Sequence, residues 1–444
     1  MQTLKIKVFG KTNCPFCERA KMLLSREKLD FDYILVTSAE QLPVPTHRTV
    51  PQIIINEEFI GGFTELEAWN QKRTTPVVAN ETYSFFNTQN KGHITGKYPL
   101  FLGDQLGFAD DIHQPYPILE TLYNQQMGQI WNHTEVDLTQ DRIDMGSIDR
   151  NITELMVENL IWQTLMDGVA ARAIGATLGK HVTNQSLQDL YNAIILFESI
   201  HSKTYLHIIR QCFDNPSEVL KRGYNSFAAI KRSKHLLDAF EKLANHDGDE
   251  ASKRKLIMFC VAALFFMEAI NFQSSFAVTF AIAERGYYQG ISQDVVLIAR
   301  DEVLHARAGG VVFQLLREEW PETYKEIKPM LMDMLNSVVA DEESWTDHIF
   351  SNGRYVLGLS KELLMSYVEY CAVQAAAVVG GEFSPRFLKA PVLPLKYMEK
   401  YLDSSKVQVA AQELQLTSYL LNSVRMESEE KLSTTLKALR EGTI

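Results

Sequence analysis

Two hydrophobic periods divide this chain. Near the N-terminus LKIKVF alternates apolar residues with lysine, the two-residue period of a strand with one covered face, and predicts a strand over Leu4 to Phe9. A helix opening near Cys14, strands around Tyr33 to Val36 and Gln52 to Asn56, and a helix from Thr64 complete a small α/β unit over residues 1–72, βαβ-like and then a hairpin and a helix. The stretch KRTTPVVANETYS has neither period and contains a proline, so a linker is expected at 73–84. From roughly Pro115 the period becomes helical, with apolar-rich segments at 151–178, 184–213, 225–245, 252–285, 291–319 and 321–345. These predict an all-α domain over 85–400. The helical pattern weakens after Pro394, and 401–444 reads as an extended tail ending in an amphipathic stretch with Leu432, Leu436 and Leu439.

Composition narrows the function classes. A formal net charge of -11, with 46% hydrophobic and 22% charged residues, describes an acidic globular protein and argues against a nucleic-acid-binding surface. The first residues lack the apolar run of a signal peptide, which argues against export. The longest apolar stretch, Leu256 to Met267, ends at Glu268 and is too short to span a bilayer, so no membrane is expected. Five scattered cysteines cannot form a disulfide framework, but two of them make a CxxC pair, which suits a reducing cytoplasm with one redox-active site.

That pair, Cys14-Pro15-Phe16-Cys17, lies where a strand gives way to a helix. A thiol at a helix N-terminus meets unpaired N–H groups that favour its thiolate, so Cys14 is the expected nucleophile. Cys17, one turn on, is placed to resolve a mixed disulfide. Half of a zinc site is the alternative, but neither a second CxxC nor a His pair lies nearby in the sequence. Lys11 before CPFC, Thr49-Val50-Pro51 before a strand, and Gly61-Gly62-Phe63-Thr64 resemble the glutaredoxin family in order and spacing over about 72 residues. The resemblance implies a thioredoxin-like α/β fold, a cis-proline at Pro51, and glutathione held by Lys11, Val50, Gly62, Phe63 and Thr64.

The helical part carries a second chemistry. Glu198-Ser-Ile-His201 and Glu302-Val-Leu-His305 repeat one spacing, and residues i and i+3 share a helix face, so each pair projects a carboxylate and an imidazole into a common interior. Asp167 and Glu268 each interrupt an apolar run, where an unpaired carboxylate would cost several kcal/mol. Two single acids plus two Glu-x-x-His pairs resemble the ferritin-like di-iron carboxylate proteins, with Asp167 standing for one glutamate. These ligands suit iron or manganese, and four carboxylates balance two divalent ions. Such a site also serves oxygenases, desaturases and iron-storage proteins. Tyr205, one turn after His201 on the same face, is either a core tyrosine or an electron and proton donor to an oxidised centre.

LFESIHSKTYLHIIRQCFDNPSEV and LIARDEVLH resemble the small subunits of tyrosyl-radical ribonucleotide reductases, as do LIWQTLMD, MEAINFQSSFAVTFAIAERG and VQVAAQELQLTSYL, over about residues 84 to 424. The resemblance implies two iron ions, or manganese, bound by Asp167, Glu198, His201, Glu268, Glu302 and His305. It places a stable radical on Tyr205 in a pocket lined by Phe272, Phe276 and Ile298. It also implies a radical path through Trp131 and Asp301, with Glu413 and Tyr419 passing the radical to a catalytic large subunit. A homodimer and a fused glutaredoxin that draws electrons from glutathione are expected. The C-terminal KLSTTLKALREGTI departs from the acidic docking peptide common in that family.

Overall fold

A computed structural model describes residues 4–74, 87–390 and 392–402 of the chain. Its contacts resolve into two compact units parted between residues 83 and 84.

In the first unit β1 (Ile6–Gly10), α1 (Pro15–Arg26), β2 (Phe31–Leu35), β3 (Gln52–Ile55), β4 (Glu58–Gly61) and α2 (Phe63–Thr74) follow in order. The sheet order is β2-β1-β3-β4, with β1 parallel to β2 and antiparallel to β3, and β3 antiparallel to β4. The alternation seen in the sequence buries Ile6 and Val8, which pack with Ala20, Leu23 and Leu24 of α1, Ile53 and Ile55 of β3 and Leu66 of α2. Pro15 starts α1, where its missing N–H costs nothing. Gly61 has φ of 122°, a conformation side chains disfavour, and its glycine lets the chain turn from β4 into α2.

The second unit is helical. It opens with α3 (Gly92–Thr95), α4 (Pro117–Met127), α5 (Thr139–Ser147), α6 (Arg150–Ala176) and α7 (Gln185–Cys212). It continues through α8 (Pro216–Tyr224), α9 (Phe227–Arg232), α10 (Lys234–Ala244) and α11 (Glu250–Phe266). It closes with α12 (Gln273–Ala283), α13 (Gln289–Glu319), α14 (Pro321–Ile349), α15 (Lys361–Val378) and α16 (Tyr397–Leu402). Four helices, α6, α7, α11 and α15, begin at polar caps: Asp149, Asn184, Asp249 and Ser360 each accept a backbone N–H of the first turn. One hydrophobic core runs through most helices from α4 to α16, while Val219 of α8 packs in a smaller cluster with Val157, Ile161 and Ile209.

Two expected segments are interrupted. The one at 225–245 breaks at Ser233, which separates α9 from α10. The one at 252–285 holds a π-helical turn, Met267–Phe272, between α11 and α12. The run Glu250–Ala283 is apolar and long enough to cross a membrane, but it is mostly buried inside the helical unit, and a helix that is apolar all round is what a core position requires.

Candidate functional site

Four helical elements converge on one buried acidic centre. Asp167 comes from α6, Glu198 and His201 from α7, Glu268 from the π-turn, and Glu302 and His305 from α13. Their ligand atoms form two overlapping groups, each within 4.8 Å: Asp167, Glu198, His201 and Glu302 in one, and Glu198, Glu268, Glu302 and His305 in the other. Glu198 and Glu302 belong to both, so the groups lie side by side and share two carboxylates. All six expected ligand residues are thus brought together, and each is buried.

Inside the cluster Nδ1 of His305 hydrogen-bonds Oε2 of Glu302 at 2.8 Å, while most other contacts are close but poorly aimed for hydrogen bonding. Nδ1 of His201 lies 3.0 Å from Oε1 of Glu302 and 3.9 Å from Oδ2 of Asp167, and Nδ1 of His305 lies 3.1 Å from Oε1 of Glu198. Both oxygens of Asp167, Glu198 and Glu268, together with Nδ1 of His201 and Oε1 of Glu302, have no hydrogen-bond partner. So many orphaned, buried and mostly anionic atoms would be prohibitively expensive if they faced only one another. Lone pairs that converge on shared points suit cations between them, and carboxylate with imidazole is the donor set of iron and manganese.

Electrostatics point the same way. Burial, and then the neighbouring carboxylates, push the acids of Asp167 and Glu268 well above the ordinary range and raise that of Glu198. Burial alone would lower the imidazole of His305, but Glu302 and Glu198 override it and hold the ring up to about 9. Burial would raise Glu302, but the two imidazoles keep it low instead. Without cations the cluster must therefore carry protons.

Around it lie the groups singled out for electron transfer. Tyr205 is fully buried and its hydroxyl has no partner. Burial, followed by the charges of Asp167, Glu302 and Glu198, raises its phenol well above the ordinary value, so it stays protonated. Phe272, Phe276 and Ile298 are fully buried, and the two phenyl rings lie 5.8 Å apart. Trp131 donates its indole N–H to Oδ2 of Asp301 at 2.7 Å, and that oxygen is 3.0 Å from Nε2 of His201. The Trp131 and His201 rings stack with centroids 6.1 Å apart. Glu413 and Tyr419 lie outside the described residues.

In the N-terminal unit Cys14 and Cys17 are disulfide-bonded, with Cα atoms 5.2 Å apart. Cys14 caps α1, its sulfur accepting the N–H of Cys17 at 3.2 Å. Cys14 is half-buried while Cys17 is fully covered. The Val50–Pro51 peptide is cis. Lys11 and Thr64 are exposed, Val50 and Phe63 are half-buried, and the N–H of Gly62 is taken by Oε2 of Glu65 at 2.8 Å.

Comparison with known proteins decides the family. Residues 112–382 match the family described as "Ribonucleotide reductase, small chain". The chain belongs to the ribonucleotide reductase small-chain family. Residues 6–60 match the glutaredoxin family, so a glutaredoxin domain precedes the small-chain domain. Ribonucleoside-diphosphate reductase 1 subunit beta of Escherichia coli O157:H7 is 30% identical over 355 residues, covering 74% of this chain and 93% of that protein. The subunit beta of Enterobacteria phage T4 is 27% identical, covering 76% of this chain and 95% of its own. In fold, the helical unit is similar to a ribonucleotide reductase R2 subunit from Clostridium botulinum, with TM-score 0.63, 17% identity, and cover of 72% of this chain and 98% of that one. It is also similar to a dimanganese(II) protein of Streptococcus sanguinis, with TM-score 0.54, 21% identity, and cover of 63% and 93%. Members of this small-chain family hold a dimetal centre, act with a large subunit and are usually dimeric. The relatives are named ribonucleoside-diphosphate reductase beta subunits, and the glutaredoxin domain supports disulfide oxidoreductase activity.

One contact at this ribonucleotide reductase site has no counterpart in the sequence reading. Gln126 of α4 reaches Oδ1 of Asp301 at 3.4 Å, so three side chains fix that carboxylate. A glutamine in ETLYNQQMG carries no signal by which it could be singled out.

Proposed function

We propose that this subunit generates and stores a radical on Tyr205 and delivers it to the large subunit for reduction of ribonucleotides to deoxyribonucleotides. The observation that carries this reading is the position of Tyr205: one helical turn from His201, fully buried, with a protonated hydroxyl that no group engages. Asp167, Glu198, His201, Glu268, Glu302 and His305 would hold two iron ions, with manganese the alternative. When bound, such ions supply with dioxygen the oxidising power that a phenol requires. The side chains do the rest. Tyr205 gives up an electron and its hydroxyl proton, and the apolar surroundings of Phe272, Phe276 and Ile298 keep water and reductants away from the oxygen. Asp301 fixes Trp131 against His201, a connected route from the cluster toward the large subunit, and Glu413 and Tyr419 would continue it.

The N-terminal domain would return electrons. Cys14, activated at the start of α1, would attack a disulfide of the large subunit, and Cys17 would release the product. Glutathione would then restore the pair, held by Lys11, Val50, Gly62, Phe63 and Thr64 beside Pro51. Tethering gives the reductant an effective concentration of about millimolar at its target when the linker spans the distance. We place the assembly in the cytoplasm, as a homodimer that meets its large subunit without nucleic acid or membrane. Electron paramagnetic resonance after addition of ferrous iron and oxygen tests the central claim: a tyrosyl signal that disappears in Tyr205→Phe supports it, and a signal that persists in that variant, or none in the unmodified chain, overturns it.

A further inference from the structure

The π-turn that carries Glu268 is gripped by a buried ion pair from two helices that supply none of the six cluster residues. Arg232 ends α9 and Glu342 lies on α14, and both are fully buried. Nε of Arg232 donates to Oε1 of Glu342 at 2.5 Å and Nη2 to Oε2 at 2.9 Å, a two-pronged pairing. The guanidinium's other contacts fall on the end of the turn and the first residues of α12. Nη2 reaches the carbonyl of Asn271 at 2.7 Å and Oγ of Ser274 at 2.6 Å, while Nη1 reaches Oγ of Ser275 at 2.8 Å. Glu342 acts from the other side, accepting from Nδ2 of Asn271 at 2.5 Å and from the hydroxyl of Ser274. Trp162 lies 3.7 Å from the guanidinium carbon and Trp345 lies 4.9 Å from it, so the cation is held between two aromatic faces.

A pair buried this deeply is poor value as a source of stability, because desolvation offsets most of its attraction. Its specificity lies in what it holds. A π-turn is an intrinsically less favourable helix segment that changes the rotation of the residues on either side, and the fork meets this turn at Asn271, three residues after Glu268. The turn closes with the N–H of Gln273 on the carbonyl of Ile270, immediately before Asn271.

We propose that Arg232 and Glu342 are positioning residues that hold the π-turn in the form that aims Glu268 into the metal cluster. This rests on the metal-binding reading above. Glu268 belongs to only one of the two overlapping ligand groups, the one completed by His305, so loosening the turn should damage one metal position and spare the other.

The test uses the full chain, freed of metal and titrated without oxygen with manganese(II), the unbound ion being read by electron paramagnetic resonance. Fewer than two equivalents bound by the unmodified chain would overturn the two-metal reading itself, and the inference with it. Arg232→Lys keeps a positive charge without the fork, and the double variant Arg232→Met/Glu342→Leu removes both charges together, leaving neither ion unpaired. With two equivalents established in the unmodified chain, the second is expected to weaken about 10-fold or more in both variants while the first is kept, the scale on which groups that orient ligands act. Two unchanged equivalents in either folded variant would overturn the inference. So would equal weakening of both, which marks general loss of packing. Should the double variant fail to fold, Arg232→Lys decides by the same split.

Discussion

Trp131 and His201 are joined through a single oxygen, Oδ2 of Asp301, which accepts the indole N–H at 2.7 Å and lies 3.0 Å from the imidazole Nε2. A carboxylate there holds a proton of His201 on Nε2, so that Nδ1, facing Glu302 and Asp167, can offer a lone pair to a cation once the cation displaces the second proton that these carboxylates hold on the ring. On the proposed reading this one side chain would serve both metal binding and electron transfer, and two substitutions separate the roles. Asp301→Ala is expected to lower metal affinity by about 10–100-fold, measured by anaerobic titration with ferrous iron. Trp131→Phe should leave metal uptake and the tyrosyl signal intact and abolish ribonucleotide reduction with the large subunit. Full reduction by Trp131→Phe would remove that residue from the path.

The hydroxyl of Tyr205 is buried without a partner, so it contributes nothing to the fold. Tyr205→Phe removes an unsatisfied polar atom and keeps the ring, and it is expected to leave stability unchanged or to raise it by up to about 1 kcal/mol. Thermal unfolding of the metal-free protein checks this, and metal uptake should be unaltered. A marked loss of stability would show that the hydroxyl is engaged.

What could be read from the sequence follows from the reach of each signal. Glu198 with His201 and Glu302 with His305 are legible because i and i+3 on a helix must share a face, and Asp167 and Glu268 because an acid inside an apolar run has to be neutralised. The CPFC motif is legible for a similar local reason, a strand leading straight into a helix. The π-turn is not, since MEAINF reads like any other helical segment. Nor are Arg232 and Glu342, which pair across 110 residues and sit among other charges in IKRSKH and ADEES. Asp141 receives the N–H groups of Gly290 and Ile291 at the start of α13 from 149 and 150 residues away, a long-range cap that no local pattern announces.

Metal loading should be coupled to protons. In the metal-free cluster the acids of Asp167, Glu198 and Glu268 are raised and His305 is held up to about 9, so the site is partly protonated at neutrality. Divalent ions need those groups deprotonated, so uptake releases protons and apparent affinity rises with pH toward about 9. The stability linkage has a definite sign. His305 is raised from 6.5, so protonation stabilises the metal-free fold below that pH and the benefit fades as pH climbs through about 9. The gain in Tm on loading should therefore widen between those limits. Calorimetric titration in buffers of different ionisation enthalpy, with unfolding scans at each pH, measures both. Uptake without proton release would count against the ligand assignment.

The two cysteines should fail in different ways. Cys14 is the more accessible and sits at the cap of α1, where thiolate is favoured, whereas Cys17 is covered and can act only after a mixed disulfide brings sulfur to it. Cys14→Ser is expected to abolish glutathione-dependent disulfide reduction. Cys17→Ser should still be attacked through Cys14 but stall as a mixed disulfide with its target, detectable by mass spectrometry as the adduct and reversed by excess glutathione. In both variants the tyrosyl signal should be formed in full, because among the described residues the six cluster residues and Tyr205 all belong to the helical unit. Loss of that signal would mean that the glutaredoxin domain feeds electrons to the metal centre as well, and retained disulfide reduction in Cys14→Ser would move the nucleophile elsewhere.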